Sequence, residues 1–223
     1  MYRRLAAIAV SASAVAAACT FPHNANAATS APLRTYTEQA DVNFTGIGSG
    51  AGFYSRTSES EKVILSPHLA MASNWRNSYE LNGVHKSAGQ ADIVGNHRYT
   101  RNGRGRWVTS TLSTKALATY ARELNPYVSL SKFGALRGIR RVGTRHYRVT
   151  GTYARVGSFL AWEFSLTARS FKGTNIKTLI IDMTLDSSGR SAKITVAGRS
   201  STLELAASET FTNPNKPVKI GVP

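Results

Sequence analysis

Cysteine is almost absent from this chain, since Cys19 is the only one among 223 residues. A disulfide within the chain is therefore excluded, and so is a zinc site built from thiolates. The four histidines after residue 27 are His68, His85, His97 and His146. No two of them lie at a metal-ligand spacing, so we predict no metal site and a stability that comes from packing and hydrogen bonding.

The usual signatures of catalysis are also missing. The sequence has no G-x-S-x-G motif and no phosphate-binding loop, and its acids are scattered without pointing to a catalytic pair. Residues 129–132 fit the pattern S-x-x-K, but the companion elements S-D-N and K-T-G are absent, which favours a polar helix face. The glycines of residues 46–52 alternate and predict a twisted or bulged strand segment rather than a dinucleotide-binding loop. We therefore predict no catalytic residues, no cofactor and no enzyme activity.

Acidic residues are few, with 12 Asp and Glu against 28 Lys and Arg, and the formal net charge is +16. Such a charge favours anionic partners, although it also serves solubility alone. Arginines are concentrated in two clusters, and their guanidinium groups suit phosphate oxygens. A solvated rim is the alternative explanation for both clusters. The first consists of Arg98, Arg101, Arg104 and Arg106, and the second of Arg137, Arg140, Arg141, Arg145 and Arg148.

The first 27 residues have the pattern of a secretory signal peptide. Arg3 and Arg4 precede an apolar run at residues 5–18, and residues 25–27 form a small-x-small cleavage site. The apolar run is shorter than the roughly 20 residues that a transmembrane helix needs. We expect cleavage after residue 27 and export of the protein.

Removal of this signal peptide would leave a flexible lead-in at residues 28–34 and one domain at residues 35–223. The small residues before Cys19 also resemble a lipoprotein processing site, which makes Cys19 a candidate for lipidation. The expected location is therefore secreted, and the alternative is a lipid anchor at the outer face of the cell membrane.

The hydrophobic pattern predicts strands on both sides of a short helical stretch. The first helix has Leu117, Tyr120, Ala121 and Leu124 at helical spacing, and the second begins near Asn125-Pro126 and ends at Gly134. Residues 96–101 and 107–110 flank a glycine-rich turn and predict a hairpin. The other predicted strands are residues 53–65, 69–75, 91–94, 145–153, 161–168, 179–185, 192–196, 202–207 and 218–222. The pattern as a whole predicts an antiparallel sheet with a helical insertion.

Three segments resemble the LppX/LprG group of actinobacterial lipoproteins, which is similar to the LolA-type carriers. They are residues 99–107 (YTRNGRGRW), 147–152 (YRVTGT) and 216–223 (KPVKIGVP). The resemblance implies an α+β fold, in which a curved antiparallel sheet (a half-barrel) is covered on its concave side by helices. It also implies an apolar cavity that holds acyl chains.

From this resemblance we expect a secreted or cell-surface lipid-binding or carrier protein, whose partner is a lipid or a lipidated ligand. The alternative is a cationic module that binds an anionic cell-wall polymer or nucleic acid by charge. A membrane surface is a further candidate partner, and of all these partners a nucleic acid is the least expected. Arg98, Arg101, Arg104, Arg140 and Arg141 are the candidates for contact with an anionic head group. The candidate lining of the ligand cavity is Trp107, Leu117, Tyr120, Leu124, Leu130, Phe133, Leu179, Ile181 and Met183.

Overall fold

The computed structural model describes residues 32–80 and 83–223 of the chain. These residues form eleven β-strands and four short α-helices. The strands are β1 (Thr35–Gly46), β2 (Tyr54–Ile64), β3 (Ala70–Glu80), β4 (Val84–Val94), β5 (His97–Asn102), β6 (Val108–Thr111), β7 (Arg140–Gly143), β8 (His146–Gly151), β9 (Leu179–Leu185), β10 (Ser191–Arg199) and β11 (Leu203–Thr212). The helices are α1 (Thr114–Glu123), α2 (Pro126–Gly134), α3 (Tyr153–Phe164) and α4 (Ala168–Phe171). The predicted signal peptide, Cys19 and most of the lead-in lie outside the described residues.

All eleven strands belong to one antiparallel sheet, in the order β6-β5-β4-β3-β2-β1-β11-β10-β9-β8-β7. The order describes two meanders, β1 to β6 and β7 to β11, that join where β1 pairs with β11. Helices α1 and α2 connect the two outermost strands, β6 and β7, while α3 and α4 connect β8 to β9. The first and last strands of the described residues, β1 and β11, therefore lie side by side in the middle of the sheet.

The predicted α+β class, with helices covering the concave side of a half-barrel, is wrong. The described chain is mainly β, and its four helices have only 10, 9, 12 and 4 residues. The class was implied by the resemblance to the lipoprotein group, and the sequence pattern assigned no strand at all to residues 35–45, which form most of β1. The sheet therefore contains a long strand that the pattern did not predict, and the four helices are short.

The two predicted helices are confirmed, and a side chain caps the start of each. The Ser113 hydroxyl accepts a hydrogen bond from the backbone N–H of Ala116 (3.2 Å) at the start of α1. The Asn125 side chain accepts one from the backbone N–H of Tyr127 (3.0 Å), and Pro126 occupies the first turn of α2. These bonds satisfy amide groups that have no partner within a helix, and they fix where each helix begins.

The predicted hairpin is confirmed as β5 and β6, which pair from His97–Thr111 to Thr100–Val108. Three other predictions are wrong. Residues 46–52 form a turn with a short 3₁₀-helix at Gly48–Gly50 instead of a bulged strand. Residues 161–168 belong to the second half of α3 and the turn after it, and residues 218–222 form no strand.

Two apolar clusters pack against the same face of the sheet, which we call the core face; the opposite side is the outer face. The large cluster joins α2 and α3 to strands β8 to β11. The small cluster joins α1 to strands β1 to β4, and it includes Tyr36, Met71 and Leu124. The Tyr36 hydroxyl donates a hydrogen bond to the carbonyl of Leu124 and so ties β1 to the end of α1. Between the two clusters the core face is lined by more polar side chains.

Candidate functional site

A cleft of about 250 Å³ opens between the core face of β1 to β3 and the end of α3. It lies where neither apolar cluster fills the space over the sheet. Polar and apolar side chains contribute to it in similar numbers. Its lining residues are Ala40, Val42, Phe44, Ser55, Thr57, Glu59, Asn77, Phe164, Ser165, Leu166 and Ser170.

The pairing of β1 with β2 explains why the cleft has two different walls. Strands alternate their side chains, so residues two apart share a face. On the core face β1 contributes apolar side chains and β2 contributes polar ones, and Asn77 of β3 continues the polar wall opposite Thr57. The cross-strand pairs that form the floor are Ala40–Glu59, Val42–Thr57 and Phe44–Ser55. The cleft is therefore amphipathic across its width.

The turn after α3 forms the other side of the cleft. Ser165 ends the helix in the left-handed conformation (φ 53°), and the chain then reverses. The backbone N–H of Leu166 donates to the carbonyl of Leu160 (3.1 Å), and the Tyr153 hydroxyl donates to the carbonyl of Leu166 (3.3 Å). Burial raises the pKa of the Tyr153 hydroxyl. These bonds hold Leu166 against the cleft.

Aromatic rings close the apolar end of the cleft. The Phe171 ring of α4 meets the Phe44 ring edge to face, with centroids 6.4 Å apart. It also lies 4.8 Å from the ring of Tyr153. Such contacts between rings are worth about 0.5–1.5 kcal/mol beyond the area that they bury. The apolar wall is therefore a packed surface that exists before any ligand is bound.

The polar wall presents hydrogen-bond acceptors. The Asn77 Oδ1 atom is buried and has no hydrogen-bond partner among the described residues. Glu59 accepts a hydrogen bond from the Ser73 hydroxyl (2.7 Å) through its Oε1 atom. A ligand group that donates hydrogen bonds would satisfy Asn77, since a buried polar group without a partner costs about 1–3 kcal/mol. A phosphate or a carboxylate would meet the negative charge of Glu59 instead.

Further carboxyl side chains continue beyond Glu59 on the core face. Glu38 lies directly opposite Glu61, and Glu209 lies opposite Ala40. All three glutamates are at most 5 % exposed. Within residues 32–80 and 83–223, no group of three or more histidine, cysteine or acidic side chains is arranged to hold a metal ion. The sequence singled out none of these glutamates.

Eight of the nine residues predicted to line a ligand cavity are divided between the two clusters, and none of the nine lines the cleft. In the small cluster lie Leu117, Tyr120 and Leu124. In the large cluster lie Leu130, Phe133, Leu179, Ile181 and Met183. Trp107 lies under the guanidinium of Arg101, 4.7 Å from the ring centroid. Their role in binding stays a prediction, and their visible role is packing.

The five arginines predicted to contact a head group do not come together. Arg98 lies on the core face of β5, opposite the buried Ile93, whereas Arg101 lies on the outer face and donates to the Gln90 side chain. Arg104 belongs to the hairpin turn. Arg140 and Arg141 lie on β7, at the other end of the strand order. The five arginines have no common location in the structure, and a head-group site that uses all of them stays a prediction.

One acid near the hairpin should respond to pH. Burial raises the pKa of Asp92, while the backbone of Ser73 and the charge of Arg101 lower it. Since the folded state holds this proton more tightly than the unfolded state, stability falls as pH rises from about 3.9 through the raised pKa. We expect Asp92→Asn to increase the free energy of unfolding at pH 7 by under about 1 kcal/mol, because the side chain is partly exposed.

Urea denaturation of both proteins across pH 3 to 8 measures this effect. The increase in the free energy of unfolding caused by Asp92→Asn should be absent at pH 3 and should appear as the pH rises through the raised pKa of Asp92. An equal gain at pH 3 would contradict the assignment, because both Asp92 and its replacement are then uncharged. Asp182→Asn is the matched control and should be destabilising at pH 7, because Asp182 accepts hydrogen bonds from Arg148 at 2.9 and 3.2 Å.

Sequence reasoning missed every residue of the cleft, although a signal was present. Apolar residues Tyr36, Ala40, Val42 and Phe44 alternate with polar ones along β1, which is the period of a half-buried strand. Glu38 interrupts this series. The polar wall gave no such signal: residues 53–65 were predicted as a strand, but Ser, Thr and Glu gave no reason to place one of its faces toward the interior.

Comparisons with known proteins add little to this geometry. No protein-family model matches the sequence, and no curated protein matches it. Among solved structures, the chain is similar to a β-barrel-like protein of a domain of unknown function, DUF1849, from Brucella abortus. The match has a TM-score of 0.19 and 9 % identity, and it covers 81 % of this chain and 97 % of that one. Such a score is too low to carry an argument about fold or function.

Among the described residues, no helix is both long enough and apolar enough to cross a lipid bilayer.

Proposed function

We propose that this chain is a secreted or cell-surface lipid-binding protein, rather than an enzyme, and that the cleft between β1 to β3 and α3 holds the apolar part of its ligand. The observation that carries the proposal is the apolar wall of the cleft, formed by Val42, Phe44, Phe164 and Leu166. Phe164 and Leu166 belong to the large cluster and Val42 and Phe44 pack against it, so the wall is the edge of that cluster that borders the cleft. Such a concave, largely preformed apolar surface with a few polar groups is the usual form of a small-molecule site.

The size of the cleft limits the ligand. If a methylene group takes roughly the 30 Å³ share of a water molecule, 250 Å³ holds about eight of them. Burial of eight methylenes contributes about 6 kcal/mol. This is comparable with the lower estimates of the cost of association, which run from about 4 to 15 kcal/mol. We infer a chain of medium length that needs additional polar contacts to bind well.

The polar wall indicates what those contacts are. Asn77 offers a buried acceptor without a partner among the described residues, and Glu59 disfavours a negative charge. A neutral head with hydroxyl groups fits this wall better than a phosphate. The proposed ligand is therefore an acyl chain on a neutral, hydroxylated head, and this differs from the arginine–phosphate contact that the sequence predicted.

Calorimetry with monodecanoylglycerol and with decyl phosphate tests the proposal. The two compounds share a chain length and differ in the charge of the head. We expect measurable binding of monodecanoylglycerol and at least tenfold weaker binding of decyl phosphate. Native mass spectrometry of the protein purified from its own cells should also show a bound lipid. Absence of binding of both compounds, together with no co-purified lipid, would overturn the proposal.

A further inference from the structure

A second groove lies on the outer face of β2 to β4, away from the cleft, and its volume is about 520 Å³. Its lining differs from that of the cleft, because it combines three positively charged side chains with hydroxyl groups. Arg56, Arg76 and Lys86 are all exposed. The full lining is Tyr54, Arg56, Ser58, Arg76, Asn77, Ser78, Lys86, Ser87 and Ala88.

The register of the strands fixes how these cations are spaced. Ser78 lies opposite Arg56 on one side and opposite Lys86 on the other. Arg56 and Lys86 are therefore two strand spacings apart, about 10 Å between backbones. Arg76 is a diagonal neighbour of both, at about 7–8 Å. The three form a triangle around the Ser78 hydroxyl, which suits several spaced anionic groups better than one compact anion.

Among the described residues, Asp41 is the acid with a recorded ion pair to this triangle, and Glu80 is a diagonal neighbour of Arg56 and Lys86 on the same face. The Asp41 Oδ1 atom accepts a hydrogen bond from Arg56 Nη2 at 3.1 Å, and this contact raises the pKa of Arg56. Arg76 and Lys86 have no ion pair among those recorded for the described residues. Two of the three cations are therefore available to an anionic partner, and the third is shared with Asp41.

We propose that this groove binds a flexible polyol-phosphate chain, in which phosphodiesters are joined by hydroxylated linkers. The cations would meet the phosphates, since guanidinium groups bind phosphate oxygens well. The hydroxyls of Ser58 and Ser78 would meet the linkers. A single-stranded nucleic acid is disfavoured, because such chains bind through stacked bases and Tyr54, half-buried, is the one aromatic residue of the lining. The ring of Trp107 on the same face is already covered by Arg101.

This site is independent of the lipid proposal, since the two cavities lie on opposite faces. Fluorescence anisotropy with a labelled poly(glycerol phosphate) of twelve units measures the binding, and a twelve-nucleotide oligothymidylate is the comparison ligand. For three phosphate contacts we expect log K to fall with log salt at a slope of about −2, by analogy with single strands. The polyol phosphate should bind at least tenfold more tightly than the oligonucleotide.

Substitutions then locate the site. Arg76→Ala and Lys86→Ala should each weaken binding about fivefold, whereas Lys193→Ala, which removes an exposed charge from β10, should leave it unchanged. Asp41→Asn should strengthen binding about threefold, because it releases Arg56. The proposal would be overturned by an equal loss in Lys193→Ala, by no gain in Asp41→Asn, or by an oligonucleotide that binds as tightly as the polyol phosphate.

Discussion

Replacement of Thr57 by tryptophan should reduce the affinity for monodecanoylglycerol about 100-fold. Thr57 lies in the middle of the cleft floor, opposite Val42 on one strand and Asn77 on the other. An indole there would fill about half of the space and would displace about four methylenes of the ligand. Their burial is worth about 3 kcal/mol, which corresponds to a factor of roughly 100 in the dissociation constant.

Ser60→Trp is the matched control for this experiment. Ser60 belongs to the same strand, but it lies on the outer face and is exposed. Both variants introduce the same side chain at an accessible position of β2, so both should fold. Calorimetry should show unchanged affinity for Ser60→Trp, and equal losses in the two variants would remove the cleft as the binding site.

The second large effect concerns stability. Phe159 is 2 % exposed in the middle of the large cluster, and its ring meets that of Phe133 edge to face with centroids 5.7 Å apart. We expect Phe159→Ala to lower the free energy of unfolding by about 3–5 kcal/mol, because it leaves a cavity that the packed neighbours cannot fill. Urea denaturation measures this loss.

Two comparisons make the result specific. Tyr79→Ala removes an aromatic ring that is 45 % exposed and should cost under about 1 kcal/mol. A double-mutant cycle of Phe159 with Phe133 should give a coupling of about 0.5–1.5 kcal/mol, as expected of a contacting aromatic pair. A Phe159→Ala loss no greater than that of Tyr79→Ala would show that α3 does not anchor the large cluster.

Local signals in the sequence predicted several elements well. The spacing of Leu117, Tyr120 and Leu124, followed by Asn125-Pro126, located the two central helices and their caps. The Asn-Gly turn located the hairpin of β5 and β6. In each case the information lies within a few neighbouring residues, where capping, turn chemistry and helical period act directly.

The error at α3 has a physical cause. Trp162 and Phe164 favour strands, and Gly157 weakens a helix, so the segment reads as β. The helical stripe is nevertheless present in Val156, Phe159 and Leu160, and it continues through the buried Glu163. A buried acid breaks an apolar pattern, so a helix with one is easily mistaken for a shorter strand.

The same cause hid the candidate site. Glu38 on β1 and Glu59 and Glu61 on β2 are polar residues on the core face. Glu38 interrupts the alternation of β1, which was not predicted as a strand, and the glutamates of β2 gave no sign that this face of the predicted strand turns inward. A pattern based on burial of apolar residues therefore fails where a protein lines its interior with polar groups, and the cleft is such a place.

The two ends of the strand order bear on how molecules of this protein meet one another. An unpaired β-strand edge can recruit another chain and start aggregation. Both terminal strands, β6 and β7, have only four residues, and every one of them is exposed. On β7 the side chain of Arg141 donates hydrogen bonds to the carbonyls of Gly143 and Thr144, and Arg140 adds a second positive charge. Short length at both edges, and positive charge at β7, therefore disfavour edge-to-edge pairing of two copies of this sheet.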